Sequence, residues 1–144
     1  MSGAAPGGLR VGIDLVAVDE VAESVARFGD RYVHRIFTDH EISCCIYADD
    51  ETGTSYVMES LAARFAAKEA VLKVLRPVEV QPPWRSIELH RMAGGWSEIH
   101  LSGQASELAS RAGIGELSVS LSHEANLAAA VVVGWCRPRT RGER

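Results

Sequence analysis

Two carboxylates stand where carboxylates are expensive. Asp14 interrupts the apolar run VGIDLVAV, and Glu69 lies within LAARFAAKEAVLK. Helical geometry puts Glu69 roughly 40° from Phe65, between Ala62 and Leu72, on the border of an apolar stripe. A charge in either setting needs a partner. For Glu69 alone, an i,i+4 pair with Lys73 or a pair with Arg64 is enough. For Asp14 alone, a helix cap or an arginine is enough. Taken together, two acids from distant parts of the chain point to a shared cation. Oxygen donors without a His or Cys cluster suit Mg²⁺ better than Zn²⁺. Mg²⁺ held by one or two carboxylates keeps waters and binds substrate phosphates. Arg64, Lys68 and Lys73 share the helix of Glu69 and are placed to supply charge for those phosphates.

The segment SLSHE, residues 120 to 124, sets a Ser beside a His. Neighbouring strand residues point to opposite faces, so Ser122 and His123 are badly placed as a nucleophile and its base. No G-x-S-x-G elbow is present. A polar strand face ending at a His is consistent with phosphate binding and equally with a solvated hairpin end. The P-loop and dinucleotide-binding glycine patterns are both missing, so neither chemistry has support.

The elements that must position these residues follow from pattern. LRVGIDLVAV, residues 9 to 18, reads as a buried strand. Asp19 is expected to cap a short helix on which Val21, Val25 and Phe28 follow helical spacing. Thr38 and Glu41 form a capping box that opens a helix near 39 to 48. Residues 49 to 55 read as a polar loop. The helix of Glu69 is expected from about 56 to 75, since Pro77 prevents it from running much further. SIELHRM and WSEIHL flank AGG as a β-hairpin. Ser102 and Gly113 bracket a helix over 103 to 112. ELSVSLS alternates strictly as a strand over 116 to 122, HEA makes a turn, and NLAAAVVVGW is the last strand, 126 to 135. Helices dominate the first half and antiparallel strands the second, which predicts an α+β fold.

The bulk properties narrow the class. A chain of 144 residues suits one domain, with a net charge of −4 that argues against nucleic acid as the main partner. No long uncharged apolar run is present to cross a membrane, and the first residues lack the pattern of a signal peptide. Three Cys, two of them adjacent, fit neither a disulfide framework nor a zinc site, and a reducing, cytoplasmic setting is expected. Residues 1–8 read as a flexible leader, 9–135 as the domain and 136–144 as a basic tail.

Four segments in this order, GIDLV (12 to 16), RIFTDHE (35 to 41), LAARFAAKEAVLK (61 to 73) and VSLSHE (119 to 124), resemble the holo-acyl-carrier-protein synthases. These are the small members of the 4′-phosphopantetheinyl transferase superfamily. The resemblance implies an antiparallel sheet packed with a long central helix. It implies an enzyme that moves the 4′-phosphopantetheine arm of coenzyme A to a serine of an apo acyl carrier protein, releasing adenosine 3′,5′-bisphosphate. By the same resemblance Asp14 and Glu69 bind Mg²⁺, and Glu69 acts as base through a water. Lys73 lies near the pyrophosphate, Arg64 contacts coenzyme A, and Ser122 and His123 approach its 3′-phosphate. The small members resemble homotrimers with the site between subunits, so His123 would serve a neighbour's carboxylates. Val16 stands where larger relatives carry a further acid.

Three departures qualify the resemblance. Where the family has a basic docking residue after the first strand, this chain has Asp19-Glu20-Val21, leaving Arg27, Arg31 and Arg35 as carrier-docking candidates. A polyketide or other secondary-metabolism carrier thereby becomes more plausible. VLRPVEVQPPW lacks the usual glycine-rich turns, so loop contacts over 74–84 do not carry over. The hairpin at AGGWSEIHL lacks the common Gly-x-Pro turn. Two other classes compete with the transferase: a coenzyme A-binding homologue without transferase activity, and an interaction protein that keeps only the fold. Intact Asp14, Glu69 and Lys73 speak against both.

Overall fold

The computed structural model describes residues 7–138. Most of the expected leader and tail, at 1–6 and 139–144, lies outside the described residues. Along the chain run β1 (Leu9–Ala17), α1 (Val18–Phe28), α2 (Asp30–Ile36), α3 (Asp39–Ser43), β2 (Ile46–Asp50), β3 (Gly53–Tyr56) and α4 (Met58–Leu75). A 3₁₀ turn (Trp84–Ser86), β4 (Ile87–Arg91), β5 (Ser97–Leu101), α5 (Gly103–Ala112), β6 (Ile114–Glu124) and β7 (Leu127–Cys136) follow. The architecture is α+β, with α4 as the central helix.

The strands form an antiparallel sheet in the order β1-β7-β6 and two separate hairpins, β2-β3 and β4-β5. Asp14 lies opposite Ala130, and Ala130 opposite Leu121. Gly12, Ala128, Ala130, Val132 and Gly134 therefore share the face that α4 covers. Their small size lets the helix approach closely. A Cβ at Gly12 would stand 2.1 Å from the Ala70 carbonyl oxygen, and one at Gly134 would stand 2.7 Å from Val74 Cγ1. Buried residues lie all around α4 instead of along one stripe, because α1, α5, the three-stranded sheet and β4 enclose it.

The opposite face of the same sheet differs. β1 is not buried on both sides: Leu9, Val11, Ile13 and Leu15 are exposed, as are Leu127 and Trp135 on β7. Ser118, Ser120 and Ser122 of β6 continue that face. Phe28, expected to pack inward from α1, is also exposed.

Several boundaries move for physical reasons. Asp19 does not cap α1. The helix opens at Val18, and the cap comes from Asn126 at the β6–β7 turn. Its side-chain oxygen accepts from Asp19 N at 2.9 Å and its carbonyl from Val18 N at 2.8 Å. Gly29, at φ 63°, ends α1 and lets α2 begin at once, an element too short to show a period in the sequence. The Thr38–Glu41 capping box is present, yet α3 stops at Ser43, and the polar stretch beyond is a hairpin. Ser102 precedes α5 but makes no side-chain cap. His123 and Glu124 belong to β6, leaving Ala125 and Asn126 as the turn.

Candidate functional site

Alternation along β1 puts Asp14 on the α4 side, next to the glycine that admits the helix. Glu69 and Lys73 are one turn apart on α4, so they share a side. Lys73 Nζ reaches the Ile13 carbonyl at 2.5 Å and Asp14 Oδ1 at 3.3 Å. The structure thus brings Asp14, Glu69 and Lys73 together. The lysine sits on the aspartate, not on its i−4 glutamate. Burial raises the Glu69 pKa, the Asp14 charge raises it further, and Lys73 partly offsets both. The repulsion between two carboxylates in a half-buried setting is relieved when a cation lies between them. Among the described residues no third His, Cys, Asp or Glu joins them in a metal-binding group. Two oxygen donors of this kind suit a hard cation that keeps waters, as Mg²⁺ does, and not a tetrahedral zinc.

A second cluster forms where the end of β6 meets α4 and the β4–β5 hairpin. Arg64, Arg91, Ser97, Ser122 and His123 line a cleft of about 270 Å³. Arg64 is 8% exposed, and its Nη1 donates to the Ser60 carbonyl at 3.3 Å. Its Nε is buried without a hydrogen-bond partner, and a buried guanidinium N–H calls for an acceptor. Arg91, at the end of β4, was not singled out by sequence pattern; only the fold carries it to Arg64. Two arginines and a histidine around one cleft, with the exposed Glu59 at its edge, give it the chemistry to receive an anion. Neither Asp14, Glu69 nor Lys73 lines it. Within one chain the carboxylate pair and the basic cleft remain separate.

Lys68 corrects an expectation. It supplies no charge to a phosphate, since its side chain is 0% exposed and lies 2.6 Å from the equally buried Glu41. Burial pushes the ammonium below its usual range while Glu41 pulls the other way. Arg27, Arg31 and Arg35 are exposed on α1 and α2, and Arg27 lies over the exposed Phe28 ring at 5.2 Å. Asp19 and Glu20 make the first turn of α1 acidic.

Comparison with known proteins covers nearly all of this framework. A family model described as the 4′-phosphopantetheinyl transferase superfamily matches residues 10–132. The holo-[acyl-carrier-protein] synthase of Moorella thermoacetica is 40% identical over 125 residues, covering 87% of this chain and 92% of the relative. That of Dehalococcoides mccartyi (strain CBDB1) is also 40% identical over 125 residues, covering 87% and 97%. The crystal structure of the Helicobacter pylori holo-[acyl-carrier-protein] synthase in complex with coenzyme A matches with a TM-score of 0.70 at 30% identity, covering 86% of this chain and 98% of that one.

Proposed function

This chain belongs to the 4′-phosphopantetheinyl transferase superfamily, and we propose that it is a holo-acyl-carrier-protein synthase whose two clusters hold the pyrophosphate and the 3′-phosphate of coenzyme A. The observation that carries the reading is the pairing of Asp14 with Glu69 beside Lys73, within a chain similar over most of its length to such synthases. The reaction moves 4′-phosphopantetheine to a serine hydroxyl of an apo acyl carrier protein and releases adenosine 3′,5′-bisphosphate. A new P–O bond forms to the serine oxygen, and the pyrophosphate P–O bond breaks.

Asp14 and Glu69 are the residues that would hold Mg²⁺, which when bound neutralises pyrophosphate charge. Glu69 takes the serine proton through a water; its raised pKa makes it a better base than an ordinary surface glutamate. Lys73 holds Asp14 in place and presents its ammonium to the leaving phosphate. Arg64, with Arg91, Ser122 and His123 around it, lines the cleft that would take the 3′-phosphate.

We infer that a second copy completes the site, a reading supported by the absence of Asp14, Glu69 and Lys73 from the lining of the basic cleft. The exposed apolar face of Leu9, Val11, Ile13, Leu15 and Trp135 supports the homotrimer expected from the sequence. The carrier docks on Arg27, Arg31, Arg35 and Phe28. Among the described residues no helix is long and apolar enough to cross a membrane. The three free thiols support a cytoplasmic setting.

The test incubates the protein with coenzyme A, Mg²⁺ and a panel of apo carriers of fatty-acid and polyketide type, and weighs each carrier by intact-mass spectrometry. A phosphopantetheine mass gain on at least one carrier is expected. Coenzyme A binding with no gain on any carrier would favour the homologue that binds without transferring. Glu69→Gln should lower kcat about 10³-fold or more while leaving the assembled mass unchanged, since it removes a base and a metal ligand together.

A further inference from the structure

Lys68 and Glu69 are consecutive on α4, and they meet opposite surroundings. Lys68 is fully buried against Glu41 of α3 at 2.6 Å. Its Nζ also donates to the carbonyls of Trp84, at 3.1 Å, and Ile87, and lies 5.8 Å from the Phe37 ring centre. Glu41 is as fully engaged. One carboxylate oxygen accepts from Thr38 N in the capping box, and the other accepts from Leu89 N at 3.2 Å. One ion pair therefore joins α3, α4, the 3₁₀ turn and β4.

Such a pair is a poor device for stability alone. Removing two ions from water costs several kcal/mol each, and well-packed apolar residues of the same volume often serve as well or better. What it provides is direction. Apolar contacts around α4 resist translation away from the sheet but tolerate small rotations about the helix axis; hydrogen bonds to a single buried ammonium do not. Among the described residues, the directed side-chain contacts of α4 with the β1-β7-β6 sheet run through Arg10, whose Nη1 donates to the Val74 carbonyl, and through the half-exposed Lys73; the Glu41–Lys68 pair holds the helix from its other side, against α3 and β4. A glutamate carboxylate stands roughly 6 Å from a helix axis, so a rotation of about 10° displaces it by about 1 Å. Misplacement on that scale costs about 10²-fold in rate.

We propose that the Glu41–Lys68 pair is a positioning element for the neighbouring carboxylate: it fixes the rotation of α4 so that Glu69 and Lys73 stand against Asp14. The inference rests on the transferase reading above. It assigns Glu41 and Lys68 no contact with substrate or metal.

The test uses the full chain with Glu41→Gln, Lys68→Met and the apolar double variant Glu41→Leu/Lys68→Met. A core variant at the far end of the sheet, Ile114→Ala, serves as a control for loss of stability. Mn²⁺ affinity is measured from the free-ion electron paramagnetic resonance signal, and kcat and KM for coenzyme A are measured on an accepted carrier. The pair variants should lower Mn²⁺ affinity and kcat by about 10-fold or more each while changing KM for coenzyme A less than about threefold. Ile114→Ala should lower the melting temperature without moving either quantity. If the single variants do not fold, the double variant carries the test. Folded pair variants with unchanged Mn²⁺ affinity and kcat would overturn the proposal and leave the pair a structural one. A wild-type protein that transfers nothing overturns the function reading itself, and the positioning role with it.

Discussion

The two faces of the β1-β7-β6 sheet are built from the same strands and have opposite fates. The inner face is made of small residues, Gly12, Ala128, Ala130 and Gly134, and is covered so closely by α4 that a single added methyl group would strike the helix. The outer face carries larger apolar residues, Val11, Ile13, Leu15 and Trp135, each more than half exposed. Area burial favours covering such residues by about 25 cal/mol per Å². One face is covered within the chain, and the other is left open, as the proposed trimer requires. Asp14, the carboxylate of β1 proposed to be catalytic, sits on the covered face. The exposed apolar residues alternate with it along the same strand.

This contrast can be broken in order of expected effect. Gly12→Val places side-chain atoms on the Ala70 carbonyl and should cost about 3 kcal/mol or more in urea denaturation, or prevent folding altogether. A loss under about 1 kcal/mol would show that α4 can lift freely from β1. Ile13→Arg, on the outer face, should leave the far-UV circular dichroism of the subunit intact but yield a monomer by light scattering, with transfer activity lost. An unchanged mass would mean that this face is not the interface. Gly134→Ala meets a side chain instead of backbone and should cost about 1–3 kcal/mol, with no change in mass. The mildest probe perturbs nothing: on dilution, tryptophan emission should shift to the red as Trp135 becomes exposed, and Trp135→Phe should remove that component. A shift that persists in the variant would assign it to Trp84 or Trp96.

The sequence made the carboxylate site legible because a charge inside an apolar run violates a local rule. Asp14 and Glu69 could be singled out without knowing what lay between them. The same local view misread Lys68. Its partner, Glu41, is far along the chain and was already explained as half of a capping box, so nothing in the pattern marked it as shared. The run LRVGIDLVAV predicted a buried strand, and periodicity cannot say whether the cover comes from the same chain or another. The pattern divides the β2–β3 hairpin between the end of a helix reaching 48 and a polar loop over 49 to 55, because Asp49, Asp50 and Glu51 lack the apolar alternation that marks a strand; the hairpin is held by backbone pairing with little side-chain burial. Arg91 and Asn126 acquire their places only from the fold, one by lining the same cleft as Arg64 and the other by capping a helix more than a hundred residues away in sequence.

The pairing of β1 with β7 also sets an order of events during synthesis. β1, with Asp14, is made first, yet among the described residues its one sheet partner is the last strand, β7. The first turn of α1 waits as well, since its cap is the Asn126 turn. At about 5–20 residues per second, β1 stays unpaired for roughly 5–20 s while the rest of the domain emerges. Its exposed apolar run must stay soluble on the ribosome throughout that interval. A chain released before β7 would therefore carry every proposed catalytic residue and still lack the strand that holds the first of them in place.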